Sequence, residues 1–310
     1  MNIVFFGTPA FSVPFLSALH NDPSINVLGV VCQPDKPVGR KQELTAPAVK
    51  QKALELNIPV FQFDSLRKPE AIETLKTLKA DVFVLVVYGK FLPDEMLNLA
   101  PFGVVNVHPS LLPKYRGPSP MKTALLNGET ETGISIMLLD SGMDTGPLLA
   151  QTGLTIDSRE TNTTLEEKVC MLGPEFLLKT LKGYVNGSVQ PQPQNHSEAT
   201  VTKILEREDG RINWHQTAHQ IDCQIRAFEP WPGTWTTWQD ARLKLVKAHP
   251  SQEPSTNQPV GTVLMREEKL LVQTGKDLIE LEQVQLEGKQ VQSIYEFVRG
   301  HADMIHSVLN

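Results

Sequence analysis

The segment 106–117 carries polar residues whose types and spacing suit chemistry on a carbonyl group. Asn106 and His108 lie two residues apart at the end of the β-branched run 103–107, which Pro109 terminates. Side chains two residues apart in a strand point to the same face, so an amide and an imidazole leave this strand side by side. The amide donates hydrogen bonds, and a histidine gives or takes a proton near neutral pH.

A second polar cluster supplies a carboxylate. The segment 140–146 reads Asp-Ser-Gly-Met-Asp-Thr-Gly and follows the apolar run 134–139, with Asp144 as its second acid. If both apolar runs are strands of one parallel sheet, their carboxyl ends meet at the ligand crevice typical of such sheets. The sequence therefore predicts a pocket shared by Asn106, His108 and Asp144.

Taken singly, a histidine and an aspartate before Thr-Gly are more often structural residues than catalytic ones. The combination Asn-x-His-x-Ser-Leu-Leu-Pro-x-x-Arg-Gly, followed by Asp-x-Gly-x-Asp-Thr-Gly, is much rarer by chance. At these residues the chain resembles the folate-dependent formyltransferases, and the likeness covers both halves of the sequence. It departs from the family pattern at Pro109 and in the segment 117–120, Gly-Pro-Ser-Pro.

The resemblance implies an enzyme that moves a formyl group from 10-formyltetrahydrofolate to the α-amine of methionyl-initiator tRNA, for translation initiation. In such a transfer, donors must meet the oxygen that becomes negative, and a base must take the amine proton. Asn106 is expected to be the first donor and His108 the second, while Asp144 stabilises the charged His108 and helps relay the proton. The folate contacts that the resemblance implies are Ser110, Leu111, Leu112 and Pro113.

Two features favour tRNA as the amine-bearing partner. The loop 36–41 ends in Arg40 and Lys41, cations that suit phosphates or bases at an acceptor end. The chain also continues for about a hundred residues beyond the usual end of family members that act on a small nucleotide amine. Three alternatives stay open: an amino-sugar nucleotide or other small amine as acceptor, hydrolysis of formyl-folate, or folate or tRNA binding without catalysis.

The charge of the chain limits how it can contact a nucleic acid. The net charge is −6 over 310 residues, which argues against general charge-driven binding. Residues 207–310 carry 11 Lys and Arg against 14 Asp and Glu, a net charge of −3. Any tRNA-binding face must therefore be local, and Arg242, Lys244 and Lys247 are its candidates. We expect the tryptophans at 231, 235 and 238 to pack inside the protein.

Several absences in the sequence also bear on function. Cys32, Cys170 and Cys223 are scattered and odd in number, which predicts reduced thiols in the cytoplasm. We expect no signal peptide and no membrane span, and a monomer. His215 and His219 have the spacing of a zinc pair on a helix, but no third ligand is suggested nearby, so we expect no metal.

The order of apolar runs predicts the elements that position these residues. Strand and helix alternate over about the first 185 residues, which predicts a doubly wound parallel sheet of Rossmann-like type. The Gly-x-Gly-x-x-Gly fingerprint is absent after the first strand, so no NAD is inferred. Expected strands are 3–6, 27–32, 59–63, 81–88, 104–107 and 133–139, and expected helices are 10–20, 46–57, 69–80, 89–100, 119–127 and 164–181.

The composition changes twice in the last third of the chain. A segment rich in proline and glutamine starts near residue 187, which is typical of an extended linker. Five short strand-like runs and a last helix follow, a rhythm that predicts a small OB-like β-barrel. We therefore expect a formyltransferase catalytic domain over 1–187, a linker over 188–206 and a tRNA-binding barrel domain over 207–310.

Overall fold

A computed structural model of the chain describes residues 1–39 and 42–310. The predicted tRNA contacts Arg40 and Lys41 lie outside the described residues. The chain divides into two compact units, each built from several segments. Unit 1 comprises Met1–Gly117, Thr132–Thr155 and Glu166–Val201, and unit 2 comprises Pro118–Glu131, Ile156–Leu165 and Thr202–Asn310.

Strands and helices alternate through the first 185 residues. In chain order the strands are β1 (Asn2–Gly7), β2 (Asn26–Cys32), β3 (Lys36–Val38), β4 (Glu43–Thr45), β5 (Val60–Gln62), β6 (Val82–Val86), β7 (Val104–His108), β8 (Glu131–Leu138) and β9 (Leu148–Thr155). The helices are α1 (Val13–Asn21), α2 (Ala48–Glu55), α3 (Pro69–Thr77), α4 (Asp94–Leu97), α5 (Pro120–Leu126) and α6 (Asn162–Val185).

Seven of these strands form the sheet of unit 1, in the spatial order β5-β2-β1-β6-β7-β8-β9. Strands β5, β2, β1, β6 and β7 run parallel to their neighbours, with Phe5 opposite Val84 and Val84 opposite Val105. Strand β6 is buried along its whole length and lies at the centre of the sheet, as an apolar run covered on both faces must. The prediction of a Rossmann-like sheet is confirmed for this part.

The sheet is mixed rather than wholly parallel, because β8 runs antiparallel to β7. Val105 lies opposite Leu138 and His108 lies opposite Ser135, so the carboxyl end of β8 is beside the amino end of β7. The expectation that the carboxyl ends of these two strands meet is therefore wrong. Apolar periodicity reports which faces of a strand are buried, and it carries no information about strand direction.

Three local predictions also differ from the structure. The segment 89–100 is helical only in α4, since Pro93 precedes that helix and has no N–H to continue a longer one. The predicted loop 33–45 contains the antiparallel pair β3 and β4. Strand β9 was not predicted, because its residues alternate in burial at the edge of the sheet and are mostly small or polar.

Unit 2 contains the helix α5, an antiparallel sheet and two further helices. Its elements after residue 201 are α7 (Ala218–Phe228), β10 (Thr234–Trp238), β11 (Ala241–Pro250), β12 (Val263–Arg266), β13 (Lys269–Gln273), β14 (Leu278–Leu286), β15 (Gln292–Ser293) and α8 (Ile294–Gly300). The helix α7 was not predicted, although Thr217 and Gln220 form a reciprocal capping box at its start. The buried positions of α7 include the polar residues Asp222 and Gln224, which interrupt the apolar pattern that would have predicted this helix.

The strands of unit 2 pair in the order β10-β11-β14-β13-β12, with β15 added to β14. The ladders found in the described part of the chain leave β10 and β12 at the two ends, so they do not by themselves form the closed barrel that was expected. The core under this sheet includes Trp238, Leu243 and Phe297. The prediction that Trp238 packs inside is confirmed. The side chain of Trp231 is 51% exposed, so the prediction that Trp231 packs inside is wrong.

Within residues 1–39 and 42–310, no helix combines the length and the apolar character required to cross a bilayer.

Candidate active site

Strand β7 places an amide and an imidazole on one face of the sheet, as the sequence predicts. Asn106 is 6% exposed and His108 is 5% exposed, so both side chains are almost fully removed from water. Across the parts of unit 1 that are described, the Asn106 amide makes no hydrogen bond. The donors and the acceptor of this amide are therefore available to a further hydrogen-bonding group.

The His108 ring lies between two hydrogen-bond acceptors. Its Nε2 is 2.9 Å from the carbonyl oxygen of Tyr115, and its Nδ1 is 3.6 Å from the carboxylate of Asp144. Carbonyl and carboxylate oxygens accept hydrogen bonds and cannot donate them. The ring therefore makes one contact at hydrogen-bond distance and one at ion-pair distance.

Asp144 reaches His108 through the segment that follows β8. This segment folds back, and the backbone N–H of Leu138 donates to the carbonyl oxygen of Pro147. The backbone of Asp144 has φ +53° and that of Tyr115 has φ +61°. Such left-handed conformations are uncommon outside glycine and cluster at functional sites. The backbone N–H of Gly117 donates to the Asp144 carboxylate at 2.7 Å, which fixes its orientation.

A buried amide and a buried guanidinium hold the Asp144 segment in place, and both were missed as site residues. Gln194 donates through Nε2 to the carbonyl oxygens of Asp144 and Gly146, at 2.9 and 2.7 Å. Its Oε1 accepts from Nη2 of Arg116 at 2.7 Å. The Arg-Gly pair at 116–117 belonged to the recognised motif, whereas Gln194 lay in the predicted linker and gave no sequence signal.

The segment Ser110, Leu111, Leu112 and Pro113 forms a turn packed against β8. The side chain of Ser110 is fully buried and donates to the carbonyl oxygen of Lys114. Ser135 of β8 donates to the carbonyl oxygen of Ser110 and accepts from the backbone N–H of Leu112. These contacts hold the turn that follows His108, and they turn the side chains of Ser110 and Leu112 toward the protein interior.

A cavity of about 600 Å³ opens on the segments that flank the catalytic residues. Val104, which lines it, precedes Asn106 by two residues, and the lining residues Asp140 and Ser141 precede Asp144. The rings of Phe102 and Tyr184 meet edge to face there, with centroids 5.7 Å apart. Its size and its mixture of apolar walls and polar backbone suit a flat heterocycle.

A second crevice of about 430 Å³ lies at the carboxyl ends of β1, β2 and β6. Thr8 and Gln33 line it, and both donate to the carbonyl oxygen of Tyr88, at 2.9 and 3.1 Å. Lys36 donates to Oε1 of Gln33 at 3.2 Å and places a cation at the crevice edge. The turn after β1 therefore faces a cleft.

Side chains near this crevice are not nucleophiles. Burial raises the pKa of the Cys32 thiol to about 11 and that of the Tyr88 hydroxyl to about 12. Neither group ionises at neutral pH, because the charged form would be desolvated.

The two histidines of the possible zinc pair do not lie on one helix. His219 is the second residue of α7, whereas His215 precedes that helix. A search of the described part of the chain finds no group of three His, Cys, Asp or Glu side chains that could hold a metal ion.

Comparisons with known proteins identify the family of the chain. Residues 1–181 match the profile of the family described as formyl transferase, and residues 204–302 match the profile of the formyl transferase C-terminal domain. The methionyl-tRNA formyltransferase of Roseiflexus castenholzii is 44% identical over 300 residues, covering 97% of this chain and 96% of that protein. The methionyl-tRNA formyltransferase of Chloroflexus aurantiacus is 44% identical over 308 residues, covering 98% and 99%.

A solved structure shares the fold at low identity. The N-formyltransferase from Helicobacter canadensis, crystallised with folinic acid and dTDP-3-aminofucose, superposes with a TM-score of 0.65. It is 19% identical and covers 90% of this chain and 98% of that chain, a similarity that shows the fold alone. From the profile matches and the relatives at 44% identity over nearly the full length, the chain belongs to the formyl transferase family.

Proposed function

We propose that this protein transfers the formyl group of 10-formyltetrahydrofolate to the α-amine of methionyl-initiator tRNA, for translation initiation. The convergence of Asn106, His108 and Asp144 in unit 1 carries the proposal for the reaction. The choice of acceptor is supported by the name of the relatives, methionyl-tRNA formyltransferase, which match nearly the whole chain.

Each of the three residues has a role that its surroundings support. Asn106 donates its amide N–H to the formyl oxygen, where negative charge develops as the amine adds to the carbonyl carbon. His108 is the proposed second donor: its Nε2 would exchange the carbonyl oxygen of Tyr115 for the formyl oxygen, while Asp144 lies 3.6 Å from its Nδ1. The Asp144 carboxylate receives the amine proton, directly or through water. The site is largely shielded from bulk water, and the lower dielectric constant there makes these electrostatic interactions stronger.

The folate co-substrate, which carries the activated formyl group, fits the cavity of about 600 Å³. The backbone of Asp140 and Ser141 borders it and offers N–H and carbonyl groups to a pterin ring, whereas the N–H groups of Leu138 and Leu139 already donate to Pro147 and Val104. The segment of Ser110, Leu111, Leu112 and Pro113 was expected to contact folate. Its buried hydrogen bonds with β8 favour a structural role, in which this segment fixes the end of the strand that carries His108.

The RNA acceptor is proposed to approach the crevice lined by Thr8, Gln33 and Lys36. Arg40 and Lys41, in the same loop as Lys36, are the proposed contacts to its acceptor end. Residues 1–187 are proposed as the catalytic domain, 188–206 as the linker and 207–310 as the tRNA-binding domain. The two family profiles, which match 1–181 and 204–302, support this division.

A barrel closed by the C-terminal segment is proposed for unit 2. The backbone of Val263 in β12 donates to Ser307, and the backbone of Thr237 in β10 donates to Asn310. The last residues thus pair with both end strands of the sheet, which supports an OB-like closure. The three cysteines are free thiols, which supports a reducing, cytoplasmic environment. A monomer remains a prediction, to be tested by sedimentation.

A second candidate acceptor is an amino-sugar nucleotide. It is favoured by the shared fold of the Helicobacter canadensis N-formyltransferase, whose structure contains dTDP-3-aminofucose. The decisive assay supplies 10-formyltetrahydrofolate with methionyl-initiator tRNA, an amino-sugar nucleotide, glycinamide ribonucleotide or water in parallel. Transfer to the charged tRNA alone is expected. Transfer to a small amine, or hydrolysis alone, would leave the assignment of the catalytic residues standing but would reject tRNA as the acceptor.

A further inference from the structure

Three polar side chains of unit 1 meet at the base of the hairpin formed by β3 and β4. We call them the hairpin clasp and define it as Asp35, Lys50 and Gln62. We propose that the clasp holds this hairpin beside the crevice of about 430 Å³ and thereby sets the affinity of the enzyme for its acceptor. Its members are positioning residues, because they act through the hairpin and not on the reacting atoms. The inference rests on the proposed function, which brings the acceptor to this crevice.

The hairpin has little packing of its own to hold it in place. Its register pairs Lys36 with Thr45, Pro37 with Leu44 and Val38 with Glu43. All three residues of β4 are exposed, and the side chain of Leu44 is 71% exposed. A two-stranded hairpin alone is at best marginally stable in water, because it buries too little apolar surface. The position of this hairpin therefore depends on contacts at its base.

The clasp ties the chain before β3 to the helix that follows β4. Asp35 directly precedes β3, and Lys50 lies in the first turn of α2, which begins at Ala48. Nζ of Lys50 donates to both carboxylate oxygens of Asp35 at 2.8 Å. The ion pair thus joins the point where the chain enters the hairpin to the helix that it reaches on leaving.

Gln62, the last residue of β5, attaches this ion pair to the edge strand of the sheet. Its Oε1 accepts from Nζ of Lys50 at 2.9 Å, and its Nε2 donates to Oδ1 of Asp35 at 2.8 Å. The same Nε2 donates to the backbone carbonyl of Gln33 at 2.8 Å. Both ends of the amide are therefore engaged, and the base of the hairpin is fixed to the sheet as well as to α2.

The burial and charge of the clasp suit it to hold one geometry. The side chains of Lys50 and Asp35 are 23% and 26% exposed. Hydrogen bonds from Lys50 and Gln62 lower the pKa of the Asp35 carboxyl below its usual value, so the carboxylate is charged at neutral pH. A fully exposed ion pair contributes little, whereas charge-assisted hydrogen bonds in a partly buried network are stronger and more specific.

The clasp acts on residues that border the crevice. Lys36 follows Asp35 directly, Thr45 is the last residue of β4, and both line the crevice. Thr8 and Tyr88, which also line it, follow β1 and β6 of the sheet. A hairpin that leaves its position takes one part of the lining away from the other. The acceptor then binds only during the fraction of time in which the hairpin is in place.

Hydrogen exchange of the full-length protein tests whether the clasp holds the hairpin. Asp35→Asn and Lys50→Met should speed exchange of the backbone amides of β3 and β4 and leave those of β1 and β6 unchanged. The matched control is Glu55→Gln, which breaks a pair within α2, where Nζ of Lys52 lies 3.0 Å from the Glu55 carboxylate. Unchanged exchange in the hairpin of both clasp variants would overturn the proposal, whichever acceptor the enzyme uses.

Acceptor kinetics test whether the held hairpin sets the affinity. With methionyl-initiator tRNA, Asp35→Asn should raise KM about fivefold, the effect of a hairpin that is in place about a fifth of the time. The values of kcat and of KM for 10-formyltetrahydrofolate should stay unchanged. The direction is decisive, because removing a negative charge near an RNA site would by itself lower KM. Lys50→Met should match Asp35→Asn, and the double variant should be no worse than either, since both remove the same contact.

The opposite outcomes are equally clear. A lower KM in Asp35→Asn together with a higher KM in Lys50→Met would mean that Lys50 contacts RNA directly, and would overturn the proposal. A fall in kcat, or a loss of the same size in Glu55→Gln, would also overturn it, because a general disturbance of unit 1 would then explain the data. If the wild type formylates a small amine and not charged tRNA, the proposed function fails, and the same KM comparison with that amine decides the role of the clasp.

Discussion

At the scale of single residues, the proposed site consists of hydrogen-bond donors and a charge pair that the backbone holds in place. Asn106 contributes an amide that has no hydrogen-bond partner among residues 1–39 and 42–310, and His108 contributes a ring between Tyr115 and Asp144. These groups are already oriented in the free protein. Preorganised dipoles lower a barrier because they need no reorientation when charge develops.

Replacing Asn106 with alanine tests the first donor. The variant should keep its fold, because the amide makes no hydrogen bond within the part of the chain that is described. Its kcat should fall by about 10² to 10³, the usual loss for one oxyanion donor. Steady-state formylation and a thermal melt measure the two effects. A variant with wild-type turnover would refute the assignment of Asn106.

At the scale of elements, the segment after α6 is part of the site and not only a connection. Gln194 is 6% exposed and ties the carbonyl groups of residues 144 and 146 to Arg116. Its position was expected to be an extended linker because proline and glutamine dominate there. Composition reports that a segment lacks a regular element, but it does not report what the segment contacts.

Gln194→Met is predicted to lower kcat by roughly ten- to a hundredfold, because small displacements of catalytic groups have effects of this size. Methionine has a similar volume, so packing is largely kept while the hydrogen bonds to the Asp144 segment are lost. Gln190→Met is the matched control, since that side chain donates only to the carbonyl oxygen of Gly187 at the surface. Equal activity of the two variants would show that Gln194 does not position Asp144.

An ion pair between two helices of unit 1 makes stability depend on pH. Nζ of Lys182 in α6 lies 2.5 Å from Oδ2 of Asp22, the residue after α1. Hydrogen bonds from Lys182 and Ser24 lower the pKa of Asp22 to about 2. The folded pKa is below the unfolded value, so the stabilisation is present above about pH 4 and is lost as the pH falls toward 2.

Asp22→Asn is therefore predicted to lower the free energy of unfolding at pH 7 by at most about 1 kcal/mol, because the Lys182 side chain is largely exposed. The difference from the wild type should shrink below about pH 4. Urea unfolding at pH 7 and at several lower pH values measures it. Lys182→Met should reproduce the effect, and a difference that grows on acidification would contradict the assignment.

At the scale of the whole molecule, the predicted chemistry needs no metal ion. Prolonged dialysis against EDTA should leave the rate of formyl transfer within experimental error of the untreated enzyme. The physical reason is that the amide and imidazole donors stabilise the developing negative charge, a task that a metal ion performs in other enzymes. Equilibrium dialysis that found stoichiometric zinc, with a rate that depends on it, would contradict this prediction.

The sequence predicted much of the fold through its periodicity. The run 81–88 predicted a strand, and β6 (Val82–Val86) is one, at the centre of the sheet. The motif residues Asn106, His108 and Asp144 were expected to share a pocket, and the structure places His108 and Asp144 in contact. Their approach differs from the expected one, because β8 is antiparallel and the segment after it turns back.

The sequence by itself determined which residue types stand at strand ends and which runs are apolar enough to be buried. These are local properties, since burial periodicity and turn chemistry depend on neighbours along the chain. Only the tertiary structure decided the direction of β8, the role of Gln194 and the exposure of Trp231. Each depends on contacts between residues far apart in sequence, and such contacts are set by how whole elements pack rather than by any local pattern.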